Sequence, residues 1–302
     1  MSPESRVETE VDGRRLSLSN LDKVLYPKVG FTKRDVIDYY ARIADVMLPH
    51  LRERPVTLRR FPNGVDEPSF FEKHAPSHMP SWVRSTMVPS MHGRHEPIKF
   101  AIVCDRPSLV WAANLAALEL HVPLWKVEKS KKLPTPPDYI VFDLDPGPGT
   151  SIVECCRVAR WIDKRLTDGG LGAALPKTSG SKGLQLYLPL KQVKWEDSRD
   201  QAHDLALSVE KDHPELVVSN MRKDLRQKHV LIDWSQNQPA KTTVAAYSLR
   251  ARPEPTVSTP ITWEEVDACA KSGNPDDLNF VSAEVLERVD KFGDLMAELG
   301  SN

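Results

Sequence analysis

The chain has 302 residues, 40% of them hydrophobic, a formal net charge of −1 and four cysteines. That is enough for one large core, or a core with a modest subdomain, and too little positive charge for a chain that is basic overall. No apolar run approaches the ~18 residues of a membrane span, the opening MSPESRVETE is not a secretory signal, and Cys104, Cys155, Cys156 and Cys269 form no C-x-x-C pair, which suits buried thiols in a reducing cytosol better than disulfides or zinc.

In chain order, residues 7–18 predict a hairpin, because alternating residues flank Asp12-Gly13, a dipeptide suited to a type I′ turn. A helix is expected from Thr32, with Asp35 completing a capping box and an apolar face of Val36, Ile37, Tyr40, Ile43, Ala44, Met47, Leu48 and Leu51. Residues 55–73 carry short strand signals, residues 74–97 read mostly as loop, and Ser108 to Leu120 reads as helix. Lys126 to Pro137 is a basic, Pro-rich connector. Tyr139 to Asp145 then reads as an apolar strand, and Ser151 with Glu154 caps a helix that stops at Gly169-Gly170. A polar loop, Lys177 to Gly183, leads into a strand at Leu184 to Leu188, followed by a helix over 196–212. His229 to Asp233 is a further apolar strand, Thr242 to Leu249 predicts more sheet, and Thr262 to Cys269 and Ser282 to Leu299 predict two outer helices. The sum is a mixed α/β (α+β) layered fold, one compact unit with a smaller N-terminal portion.

Residues i and i+2 of a strand share a face, so Asp143 and Asp145 project together while Leu144 points into the core. Two carboxylates ~7 Å apart repel unless a cation lies between them, and hard ions such as Mg²⁺ or Mn²⁺ take such oxygen ligands. Asp233, ending a second strand, can supply a third ligand. D-x-D alone also fits solvated strand-end aspartates, sugar-nucleotide transferases, or phosphatases with a nucleophilic aspartate; Gly147 stands where the last pattern wants Thr or Val. Thr178-Ser-Gly-Ser-Lys-Gly183 offers two glycines, two serines and a lysine, the makings of an anion nest or of an ordinary flexible turn. Because a strand rather than a helix follows, it is no Walker A loop. Positive charge gathers at Arg59-Arg60, Lys129 to Lys132 and Arg222 to Lys228, each of which alone also fits a solvated surface.

Taken in order, Phe142-Asp-Leu-Asp-Pro146, Thr178 to Leu184, Asp233-Trp-Ser-Gln-Asn237, Lys241-Thr-Thr243 and Tyr247-Ser-Leu-Arg250 closely resemble the polymerase domain of bacterial ligase D, in the archaeo-eukaryotic primase superfamily. The resemblance extends to Leu21 to Pro27, Pro62 to Asp66, Phe70 to Lys73 and Leu118 to Pro123, and covers roughly residues 16–255 and the helical tail. It implies a primase-polymerase catalytic core over 136–255, an N-terminal portion over 1–135 with 5′-phosphate and template contacts, and C-terminal helices over 256–302. Asp143, Asp145 and Asp233 match the family's catalytic metal-binding carboxylates, for two divalent ions, Mn²⁺ or Mg²⁺, with no organic cofactor. His121, Ser179, Lys182, Arg226 and Arg250 match triphosphate contacts. Arg59 falls where the family commonly has Lys, which leaves its contact open, since a guanidinium is a planar fork and an ammonium a point charge. Phe70 and Phe71 match an aromatic pair that stacks on nucleotide and template bases; in a strand one of the two must face away from the core. Asn20, Lys23 and Lys33 match a pocket for a DNA 5′-phosphate, and an anion there would relieve a lysine placed in a helix's first turn.

The implied function is a template-dependent DNA repair polymerase that adds rNTP or dNTP to a primer 3′-hydroxyl, filling gaps or extending broken ends. The alternatives are a de novo primase and a non-catalytic DNA-end-binding module. The implied partners are gapped or broken duplex with a 5′-phosphate, NTP or dNTP, and a DNA ligase or end-binding repair proteins. A monomer in the cytoplasm at the bacterial nucleoid is expected, without membrane association. With no K-x-D-G adenylation motif and a capped C-terminal helix, a stand-alone enzyme is expected ahead of an excised domain. His74, His78, His92 and His95 have spacings that can bind zinc but fit ordinary loop histidines better, without cysteine or helix beside them.

Overall fold

The computed structural model describes residues 6–89, 96–128, 133–190 and 193–300. His92, His95 and the basic run Lys129 to Lys132 lie outside the described residues.

The chain opens with the expected hairpin, β1 (Arg6–Val11) and β2 (Arg14–Ser19). Asp12 and Gly13 take φ of 46° and 76°, the left-handed pair that a type I′ turn needs. A short pair, β3 (Val24–Tyr26) and β4 (Phe31–Thr32), leads into α1 (Lys33–Leu51). Thr32 and Asp35 form both halves of the capping box, and Val36, Tyr40, Ile43, Met47 and Leu51 are buried along one face. Next come β5 (Thr57–Arg60), β6 (Phe70–Glu72), β7 (Arg84–Val88) and β8 (Ile98–Ile102). The stretch 74–97 is mostly loop among its described residues, as read, apart from β7, which pairs with β8. Its residues are largely exposed, so no buried period marks the strand; pairing with a partner defines it.

A correction concerns Ser108 to Leu120. The helix, α2 (Arg106–Asn114), is capped by Asp105, and Ala116 turns with φ 56° into a strand, β9 (Ala117–Val122). Leu115 to Leu120 are good helix formers, but each residue's preference is worth under about 1 kcal/mol. Pairing as a buried strand between β5 and another neighbour outweighs that.

The second half supplies β10 (Tyr139–Pro146), α3 (Ile152–Asp168), β11 (Leu175–Thr178), β12 (Leu184–Pro189), α4 (Trp195–Asp212), β13 (Val217–Val218), β14 (Val230–Asp233) and β15 (Thr243–Val244). It ends with α5 (Trp263–Ser272), α6 (Ser282–Phe292) and α7 (Ala297–Gly300). Of the sheet expected over 242–249, Thr243 and Val244 pair as a strand and Leu249 makes an isolated bridge to Val257; Tyr247 has φ 66°, which breaks the extended path between them. Gly293, with φ 67°, likewise splits the last expected helix in two.

Two sheets result, in the orders β11-β12-β10-β14-β13 and β15-β9-β5-β6. The first is antiparallel except where β13 runs parallel to β14. Ile140, Phe142 and Leu144 of β10 pack with β12, β14, α3, α4 and α5 in one core. Tyr139 and Val141, on the other face, join a second core with α1, α2, β5 and β9. The carboxylates of β10 therefore lie on the face turned toward the second sheet, where the Thr243 hydroxyl of β15 and the Tyr187 hydroxyl lie 3.2 Å apart. The C-terminal tail returns to α1: His50 Nε2 is 2.9 Å from Asp294, and the Tyr247 hydroxyl donates to the same carboxylate at 2.8 Å.

Candidate active site

Asp143 stands opposite Asp233 on one side and Gln185 on the other, and Gln185 stands opposite Lys177. Directly paired antiparallel residues share a face, so Lys177, Gln185, Asp143 and Asp233 form one row across four strands, with Asp145 two residues along. Burial, then the charges of Asp145 and Asp233, push the Asp143 carboxyl above its usual range. Burial and Asp233 do the same to Asp145, opposed by Arg226. Three oxygen-donor side chains on one face, two of them pushed up by burial and acidic neighbours, have the chemistry a hard divalent cation satisfies, so the donor set fits the expected metals. Among the described residues, however, no three His, Cys, Asp or Glu side chains close around one point. Asp143 is turned to the Gln185 amide, which donates at 3.0 Å. Asp233 accepts from Ser235 N–H (3.0 Å), Ser235 Oγ (2.6 Å) and Gln236 Nε2 (2.9 Å).

Gln185 and Lys177 carry no role in the sequence reading. Lys177 is 1% exposed and donates to Gln185 Oε1 (2.5 Å) and Ser258 Oγ (2.6 Å); the Tyr187 hydroxyl also donates to Gln185 Oε1, at 3.2 Å. Two donors on the amide oxygen fix the flip, so that the NH₂ group faces Asp143. Burial pushes the Lys177 ammonium down to about 7, against the pull of Asp143. The available signal was a lysine and a glutamine in otherwise apolar strands, but their alignment depends on register.

The loop Thr178 to Gly183 is tied to this strand and to Arg250. A Cβ on Gly183 would lie 2.2 Å from the Leu144 carbonyl oxygen. One on Gly180, whose φ is 66°, would lie 2.5 Å from Val257 backbone and 2.7 Å from Arg250 Cγ. Only glycine permits either approach. The Ser179 hydroxyl accepts from Ser181 N–H (3.2 Å) and Gly183 N–H (3.1 Å), so two donors expected to face an anion close on the loop's own serine. Lys182 is exposed and faces an open cleft of about 440 Å³ with Ser181 and Arg252. Arg226, half-buried, donates to the Met221 carbonyl at 2.7 Å.

Arg59, His121 and Arg250 converge on Glu119 of β9, a residue with no role in the sequence analysis. Glu119 is 1% exposed. Burial alone would raise its carboxyl; the His121 hydrogen bond, Arg250 and the Ala251 N–H overcome it and hold the group at about 2. Burial pushes the His121 imidazolium down from its usual range. Glu119 and His121 at i and i+2 are a strand signal, hidden because this segment read as helix.

Phe70 and Phe71 are 45% and 56% exposed, so the expectation that one of them belongs to the core is corrected. β6 is an edge strand whose two faces are both open. Each ring is backed by its cross-strand arginine: Arg60 lies 5.2 Å from the Phe70 centroid and Arg59 5.3 Å from that of Phe71. Phe71 also meets His121 edge-on at 5.5 Å.

Asn20, Lys23 and Lys33 line one cleft of about 700 Å³, with Arg6, Arg15, Arg60, His78 and Trp82. Lys23 donates to Asn63 at 2.8 Å, and Asn20 holds a φ of 53°. Lys33 is buried and donates to the Ser19 carbonyl (2.6 Å) and hydroxyl (3.2 Å). A neighbouring carbonyl and hydroxyl thus already accept from the ammonium, while its positive charge stays available to an anion. His74 and His78 form no metal cluster among the described residues.

The model of the LigD primase-polymerase domain matches residues 32–296. The multifunctional non-homologous end joining protein LigD of Mycolicibacterium smegmatis is 43% identical over 289 residues, 95% of this chain and 36% of that protein. The corresponding protein of Mycobacterium tuberculosis H37Rv is 42% identical over 294 residues, 96% and 37% of the two chains. The bifunctional LigD of Bacillus subtilis is 35% identical over 257 residues, 84% and 40%. The chain thus spans 36–40% of the length of these relatives. The solved polymerase domain from Mycobacterium tuberculosis ligase D in complex with DNA superposes with a TM-score of 0.88 at 43% identity, covering 95% of this chain and 99% of that one. By sequence and by fold, the chain belongs to the family of LigD primase-polymerase domains and is a nucleotidyltransferase of that type.

Proposed function

We propose that the chain is a template-dependent DNA repair polymerase that fills short gaps or extends broken ends, using rNTP or dNTP, with Asp143, Asp145 and Asp233 as its metal ligands. The observation that carries this reading is the facing of Asp143 and Asp233 across β10 and β14, with Asp145 on the same face and a glycine-gated loop alongside. Two divalent ions, Mn²⁺ or Mg²⁺, bound there would supply the Lewis acidity that activates the primer 3′-hydroxyl and steadies the departing pyrophosphate. Lys182, Ser179, His121, Arg226 and Arg250 hold the triphosphate, with Arg59 beside them. The 3′-oxygen forms its bond to the α-phosphorus, and the bond from that phosphorus to the β-phosphate oxygen breaks. Phe70 and Phe71, exposed on the edge strand, stack on nucleotide and template bases.

DNA is the expected partner, as in the solved relative. Asn20, Lys23 and Lys33 hold the 5′-phosphate of the downstream strand. Relatives named for non-homologous end joining support work beside a DNA ligase or end-binding proteins, at the nucleoid. Among the described residues no helix is long and apolar enough to cross a membrane. The test compares one enzyme on two gapped DNAs that differ by a single 5′-phosphate. Affinity is expected to rise about tenfold or more with the phosphate, as for charge-assisted contacts worth ~1.5–3 kcal/mol. Equal affinity and rate at low salt would remove the gap-repair reading.

A further inference from the structure

We propose that Glu119 is the positioning residue of the nucleotide pocket, a buried carboxylate that holds the inner ends of Arg59, His121 and Arg250 so that their outer ends face the triphosphate. The proposal rests on the triphosphate role given to those residues above. Glu119 lies on β9, and its partners come from three parts of the chain. Arg59 Nη1 from β5 donates to both carboxylate oxygens, at 3.3 and 3.4 Å. His121 Nε2, two residues along the same strand, is 2.9 Å from Oε2. Ala251 N–H donates to Oε1 at 3.1 Å, and Arg250 Nε is paired with the same oxygen at 3.5 Å.

The carboxylate is 1% exposed, whereas the side chains of Arg59, Arg250 and His121 are 31%, 18% and 13% exposed. The anion is therefore enclosed while each of its partners keeps part of its side chain open to solvent. Among the described residues, Arg59 Nη2, both terminal nitrogens of Arg250 and His121 Nδ1 have no hydrogen-bond partner. A cluster built for stability alone would satisfy its donors internally, since a buried ion pair with unmet groups adds little to folding. Here one anion faces two guanidiniums and an imidazole, leaving a net positive surface with donors to spare. The Nε2–H bond to Glu119 also fixes the imidazole tautomer and leaves Nδ1 as the outward nitrogen. Phe71 rests on both Arg59 and His121, so the same carboxylate steadies the base platform.

The test is single-nucleotide addition to gapped DNA by Glu119→Gln, with Lys182→Ala as reference, alongside DNA affinity and Tm. An amide cannot accept from all three hydrogen-bond donors or pair with Arg250, so the nucleotide KM should rise about tenfold or more, as for lost charge-assisted contacts. The kcat should change by less than about threefold, as for lost uniform binding, and DNA affinity should hold. Arg250→Ala should then cost less in the Glu119→Gln background than alone. A lower Tm and active fraction with an unchanged KM would overturn the proposal and leave Glu119 structural. If KM rises in Lys182→Ala but not in Glu119→Gln, the proposal fails and the triphosphate reading stands; if it rises in neither, both fail. Should Glu119→Gln not fold, the imidazole ¹⁵N spectrum of the unmodified protein decides, with His121→Ala for assignment. A protonated Nε2 and bare Nδ1 at His121 are expected; the opposite tautomer, or exchange between the two, would overturn the proposal.

Discussion

At the residue scale, charge is buried at two places, the carboxylate row and Glu119, and it is partnered in opposite ways. Asp143 and Asp145 face other acids and are pushed up; Glu119 faces cations and is held at about 2. For Glu119 the folded value lies below the ordinary carboxylate value of 4.5, so its contribution is fully present above about pH 4.5 and is lost as pH falls toward about 2. Linkage puts that contribution at about 3 kcal/mol. Urea unfolding of the parent and of Glu119→Gln should therefore differ most near pH 6.5, and the gap should narrow steadily below pH 4.5. A gap that stays constant on acidification would mean that the carboxylate is not ionised in the fold. Lys177 has the reverse sign: its folded value of about 7 lies below 10.5, so holding its charge costs stability below pH 7, and that cost is relieved as pH rises toward 10.5.

At the element scale, the edge strand β6 decides what its two phenylalanines do. Both are exposed, so Phe70→Ala and Phe71→Ala should leave the unfolding free energy within about 0.5 kcal/mol of the parent. Each should weaken extension by about 1–3 kcal/mol through lost base stacking. Calorimetry beside primer extension separates the two effects, and a large drop in Tm with normal activity would make the rings core residues after all. Elements with local signals were legible in the sequence. The Asp12-Gly13 turn and the capping boxes at Thr32 and Ser151 are set by neighbouring residues, and they stand where the sequence put them. The strand β9 was not legible, because its residues favour helix and only pairing with β5 and β15 makes them a strand. That one misreading also hid Glu119. The D-x-D pair could be placed on one face from spacing alone, but its opposition to Asp233 and Gln185 depends on register between segments 42 to 90 residues apart.

At the scale of the whole molecule, the carboxylate row lies on the sheet face turned toward the second sheet, and the basic cleft near the N-terminus lies beyond β5. Arg60 belongs to both the cleft and the aromatic platform, since it lines the first and stacks on Phe70. A net charge of −1 means that DNA affinity must come from such local fields and not from the chain's total. Lys23 is exposed and can be removed without opening a core, unlike the buried Lys33. Lys23→Ala should reduce the slope of log affinity against log salt by about one on 5′-phosphorylated gapped DNA, while open primer-template keeps its slope. Equal slopes for both proteins on the phosphorylated gap would take Lys23 out of the phosphate pocket. The central claim is that Asp143, Asp145 and Asp233 carry nucleotide addition. It is tested most directly by measuring addition to a 5′-phosphorylated gapped duplex by the parent and by Asp143→Ala, with DNA affinity in parallel. The rate is expected to fall about a thousandfold or more while DNA binding survives; extension by Asp143→Ala at a rate comparable to the parent would contradict it.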